Sequence, residues 1–95
     1  MDQEKIKIAM VVAVSKALGY RIEENGFFDP RLIYEKVMPE IEKSKDRETR
    51  IAMIAAVSRA LKFLQEKPEA EEKEVIGHVL KEADSILEGM STKKG

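Results

Sequence analysis

Ile8-Ala9-Met10-Val11-Val12-Ala13-Val14-Ser15-Lys16-Ala17-Leu18 returns as Ile51-Ala52-Met53-Ile54-Ala55-Ala56-Val57-Ser58-Arg59-Ala60-Leu61, an offset of 43 residues. Eight of the eleven positions are identical, and the three changes keep apolar with apolar and cation with cation. Self-similarity at this period is the mark of a duplicated two-helix unit. The chain is therefore expected to be all-α: a small four-helix bundle built from two duplicated helix pairs, with units at about residues 3–43 and 46–88. Its 95 residues make one domain, and residues 91–95, with nothing apolar to bury, are expected to fray.

Working outward, the first helix is expected over about residues 3–20, with Asp2 as its N-cap and Gly19 near its end. At about 100° per residue, Ile6, Met10, Ala13, Val14 and Ala17 share one face. On the opposite face stand Ile8, Val11 and Val12, beside Ser15 and Gly19. A helix apolar on both sides is expected to be buried from two directions. Either the chain covers that second face or another chain does, which makes Ile8, Val11, Val12 and Ser15 the candidate self-association surface.

The connection carries the turn dipeptide Asn25-Gly26, then Phe27 and Phe28, then Asp29-Pro30, an N-cap followed by proline at the first helical position. The second helix, about 30–43, places Ile33, Tyr34, Val37, Met38 and Ile41 on one arc; Pro39 falls on the polar side, where it is expected to bend or split the helix. Tyr20, Phe27, Phe28 and Tyr34 read as a lid over the core, and an exposed Phe27/Phe28 tip would be a docking anchor. Asp46 opens the third helix, about 46–65, with Met53, Ala56, Val57, Ala60 and Leu64 facing the core. Its back keeps Ile51 and Ile54 but has Ala55 and Lys62 for Val12 and Gly19, the more solvent-tolerant version of the two. Pro68 is read as the start of a fourth helix running to about Leu87, with Val75, Val79, Leu80, Ala83, Ile86 and Leu87 as its stripe and Gly89 as its C-terminal cap.

The first and third helices are expected to face each other, because Ala9, Ala13 and Ala17 and their counterparts Ala52, Ala56 and Ala60 let two backbones approach, with Met10 and Met53 filling the gaps. An open pair of hairpins that closes only by dimerising is the alternative. The period falls in the range of HEAT-type repeats, but two units are too few for a solenoid.

Composition narrows function by exclusion. The charged fraction is 37%, well above the roughly 25% of ordinary domains, yet the net charge is only -1. No global field draws the chain to nucleic acid or an anionic membrane. Cysteine is absent, so disulfides and thiolate chemistry are ruled out, and the acidic start Met1-Asp2-Gln3-Glu4 does not suit a signal peptide. A cytoplasmic location is the expectation. Abundant Glu and Lys, with one Asn and two Gln, give a thermophile-like balance.

Three clusters invite chemistry. The only histidine, His78, has Glu74 and Glu82 four residues to either side; these lie outside the apolar stripe and read as a solvated face, and the first-half position matching His78 is Glu35. Lys43, Lys45, Arg47 and Arg50 begin a basic segment reaching Lys62, the alternative nucleic-acid-binding patch, although no aromatic is interleaved for base stacking. The following segment, Glu66 to Glu88, has eight acids against three lysines, able to pair with it within the chain or across a dimer. Ser15 and Ser58 sit mid-helix, where each is expected to bond its hydroxyl to the carbonyl four residues back or to allow close helix packing. No catalytic triad, phosphate loop or metal set is present, so no catalytic, cofactor or metal residue is assigned. The sequence favours a non-enzymatic interaction or scaffold protein that self-associates as a dimer or tetramer, with a different protein partner as a further option and no membrane partner.

Overall fold

The computed structural model describes residues 3–23 and 29–92, with side chains at 3–20 and 29–89. Four helices and no strand occur among these residues: α1 (Gln3–Glu23), α2 (Pro30–Glu42), α3 (Arg47–Glu66) and α4 (Glu72–Thr92). Asp2, Asn25, Gly26, Phe27, Phe28 and residues 93–95, on which some expectations rest, lie outside the described residues.

Local chemistry sets most boundaries. Asp29 is extended and accepts a hydrogen bond from the Arg31 N–H, with Pro30 supplying the first helical residue. Asp46 caps α3 by accepting from the Thr49 N–H at 3.3 Å and the Thr49 hydroxyl at 2.6 Å. Of the two outcomes expected at Pro39, splitting does not occur: α2 continues to Glu42, with the proline on its exposed side. Two expectations change. Pro68 begins a turn, not a helix: Ala70 N–H bonds Lys67 O, and α4 starts at Glu72 with Glu74 reaching back to the Glu71 N–H. Gly89 is not a cap, because α4 runs on to Thr92.

Side-chain pairs fix the direction of each helix. Lys7 meets Asp84 at 2.7 Å and Ser15 meets Glu72 at 3.4 Å, so α4 runs antiparallel to α1. Lys16 meets Glu40 at 3.6 Å while the Lys36 Nζ lies 5.8 Å from the Tyr20 ring centre, so α2 does too. Arg59 binds Glu82 and Phe63 stacks on His78, setting α3 against α4. The order is up, down, up, down, and α1 and α3 run parallel.

The most extensive packing in the molecule is between α1 and α3. Each of α2 and α4 packs on both of them and not on the other, so the four helices form a rhombus with α1–α3 as its short diagonal. Small residues make that diagonal possible: Ala13, Ala17, Ala52, Ala56 and Ala60 are buried along it, and Met10 and Met53 fill the space beside them. Every position expected in the core of α1, α2 and α3 is buried or half-buried, together with Leu18 and Leu61. Leu80 is the exception in α4; it is 45% exposed rather than part of the core.

Paired positions in the two halves have similar environments. Met10/Met53, Ala13/Ala56, Val14/Val57, Ala17/Ala60 and Leu18/Leu61 are all buried, and Ile8 and Ile51 are both exposed. Some contacts of the two halves are alike: Lys36 sits over Tyr20 and His78 over Phe63, and Glu40 pairs with Lys16 and Glu82 with Arg59.

Candidate functional site

The outward face of α1 is open. Ile8 is 63% exposed and Val12 is 45% exposed, one turn apart, with Val11 and Ser15 half-buried beside them. The expectation that α1 is buried from two directions therefore fails within one chain. Its core face already touches α2, α3 and α4, and among the described residues no element is left to cross the back.

A row on α4 extends this face. Glu72, Ile76, Leu80 and Asp84 are spaced four apart and lie along one side of the helix. Its ends are pinned to α1, Glu72 by the Ser15 hydroxyl and Asp84 by Lys7. Ile76 is half-buried and Leu80 exposed between those anchors, so the row runs along α1 beside Val11. The apolar surface is thus Ile8, Val12 and Leu80, with Val11 and Ile76 between helices. Sequence reasoning placed Leu80 in the core, because a stripe read from one helix cannot show where the neighbouring helix ends.

The corresponding face of α3 is less open. Ile51 and Ile54 are 44% and 36% exposed and Ala55 is half-buried. Beside them, the Tyr34 hydroxyl on α2 donates to the Ser58 Oγ. In place of a bond to the carbonyl four residues back, Ser15 donates to Glu72 and Ser58 accepts from Tyr34, each tying its helix to another.

An open hollow of about 610 Å³ lies between α3 and α4, lined by Ser58, Arg59, Lys62, Phe63, Glu66, His78 and Glu82. His78 does not simply face water, as its helix position implied. Its ring stacks on Phe63, with centroids 4.6 Å apart and an interplanar angle of 21°, an offset aromatic contact. Glu82 is engaged by Arg59, and Glu74 serves the start of α4. The three residues of the proposed cluster are therefore not brought together, and among the described residues no three His, Asp or Glu side chains converge as a metal site would require. Two cations and two carboxylates in the hollow leave no net charge to select a ligand of either sign.

No family model, curated protein or solved structure matches this chain. The site must be read from its own geometry.

The basic segment is dispersed by its own contacts. Lys43 lies 3.5 Å from Glu40, and Arg50 donates from Nη1 to the Ser44 carbonyl at 2.7 Å. Lys45 and Arg47 are exposed at the α2–α3 connection. Phe27 and Phe28, the candidate docking aromatics, lie outside the described residues. No helix among the described residues is long and apolar enough to cross a membrane.

Proposed function

We propose that this protein is a non-enzymatic helical interaction module, descended from a duplicated helix pair, that associates with a second copy of itself through the outward face of α1. The observation that carries the reading is the exposure of Ile8, Val12 and Leu80 on one surface, with Val11 and Ile76 half-covered beside them. Covering a Val, Leu or Ile side chain fully gains about 1.5–3 kcal/mol. Three such residues on one face supply a driving force suited to association, and contiguous apolar surface on a small chain is where partners bind.

The 43-residue sequence repeat, the matching burial of its positions and the paired Tyr20/Lys36 and Phe63/His78 contacts support descent by duplication. With no cysteine, the chain carries no mark of an oxidising compartment, and we place its action in the cytoplasm.

Light scattering coupled to size-exclusion chromatography over a dilution series tests the reading. The wild-type chain is expected to elute as a dimer-sized species that persists on dilution, and Val12→Glu is expected to return it to monomer with its helical circular dichroism intact. A wild-type monomer at every concentration, or an assembly indifferent to Val12→Glu, overturns it.

A further inference from the structure

Charge is arranged unevenly around the α1 face, and that unevenness specifies how a second copy approaches. On the α4 side stand Glu4 and Glu72, the latter held beside the face by the Ser15 hydroxyl at 3.4 Å. On the α2 side stand Lys5 and Lys16, the latter 3.6 Å from Glu40, a carboxylate already shared with Lys43 at 3.5 Å. Glu4, Lys5, Lys16 and Glu72 are all exposed. Lys7 and Asp84 offset each other on the α4 side at 2.7 Å, so that flank is acidic in net and the α2 flank, despite Glu40, basic, with Ile8 and Val12 between them.

When two identical helices pack in parallel about a two-fold axis, each flank of one meets the opposite flank of the other; when they pack antiparallel, like flanks meet. Antiparallel packing centred between Ile8 and Val12 sets Lys5 against the other copy's Lys16 and Glu4 near its Glu72. Parallel packing sets Glu72 against the other copy's Lys16 and Glu4 against its Lys5, twice each. We infer that the chain forms a parallel two-fold dimer in which α1 packs on α1, Ile8 and Val12 meet their own counterparts, and Glu72 of each copy faces Lys16 of the other.

This inference rests on the self-association reading, and its test separates the two. Lys16→Glu places two acids at each of the two equivalent contacts, and Glu72→Lys places two lysines there. Each variant alone is expected to dimerise on the order of tenfold more weakly than wild type, as for surface charge pairs made repulsive. Mixed in equal amounts, the two variants are expected to form a heterodimer near wild-type strength, because both contacts become attractive again. A mixture no tighter than its components, or single variants as tight as wild type, overturns the parallel arrangement while leaving self-association standing.

Because the chain has no cysteine, cross-linking gives a readout independent of charge and of the variants' stability. Chains carrying Ile8→Cys, and separately Val12→Cys, are each expected to form a disulfide with their own kind, since a disulfide needs Cα atoms about 5.5 Å apart. Cross-linking only between the Ile8→Cys and Val12→Cys chains marks the antiparallel dimer, and no cross-linking of either kind in a protein that does associate marks a different face. Both overturn the inference, whereas a monomeric wild-type chain overturns the reading beneath it.

Discussion

Tyr34 on α2 donates its hydroxyl to Ser58 on α3, while Ser15, which matches Ser58 in the repeated sequence, donates to Glu72 on α4. Equivalent serines on parallel helices thus hold the neighbouring helix from the other half of the chain. A hydrogen bond of this kind contributes about 0.5–1.5 kcal/mol. Tyr34→Phe and Ser58→Ala are each expected to cost up to about 1 kcal/mol in urea unfolding, and the double variant no more than the larger single one. Full additivity would mean the two hydroxyls act independently.

The short diagonal of the rhombus depends on small residues. Ala13 and Ala56 are buried on α1 and α3, and a longer side chain there must force the two helices apart. Ala13→Leu or Ala56→Leu is expected to destabilise the fold by about 1–3 kcal/mol through overpacking. Ala55→Leu, on the half-open outer face of α3, is expected to change stability by less than about 0.5 kcal/mol. Equal effects at positions 55 and 56 would contradict the close approach of α1 to α3.

Gly77 lies inside α4, is exposed, and has open space where a Cβ would be placed. Alanine in a helix interior is better than glycine by about 0.5–1 kcal/mol, chiefly through the unfolded chain. Gly77→Ala is expected to raise the thermal midpoint by several degrees, roughly 4–8 °C per kcal/mol for a domain of this size. No rise, or a fall, would indicate a need for glycine that the fold does not explain.

Leu80→Lys distinguishes a core residue from an interface residue. With the side chain 45% exposed, the substitution is expected to leave the midpoint of monomer unfolding within about 0.5 kcal/mol of wild type while weakening self-association seen by light scattering. A loss of about 2 kcal/mol or more, typical of a truncated core leucine, would return Leu80 to the interior.

The His78 ring against Phe63 adds apolar contact between α3 and α4 at the wall of the hollow. His78→Ala is expected to cost about 0.5–1.5 kcal/mol, the worth of an aromatic pair, whereas His78→Phe keeps most of that stability. A destabilised Phe variant would show that the imidazole nitrogens, and not the ring face, do the work.

Core residues of α1 to α3 were legible because burial on a helix follows a 3.6-residue period that one strand of text records: Met10, Val14, Val37, Val57 and Leu64 need no partner to be recognised. Caps at Asp29 and Asp46 were legible for the same reason, since their acceptors serve backbone groups two or three residues away. The beginning of α4 was misplaced because Pro68 suits both a first helical turn and a tight turn, and local preference does not separate them.

Sequence by itself determined the all-α class, the four helices and the alanine face that draws α1 to α3, all properties set within one or two helical turns. Tertiary structure alone decided that α1 and α3 run parallel, that Ser15 and Ser58 bond across helices, and that Ile8, Val12 and Leu80 remain open to solvent. The physical reason is that exposure is a property of what stands in front of a side chain. Helices α2 and α4 fill the two sides of the α1–α3 pair, and nothing among the described residues reaches its outer edge.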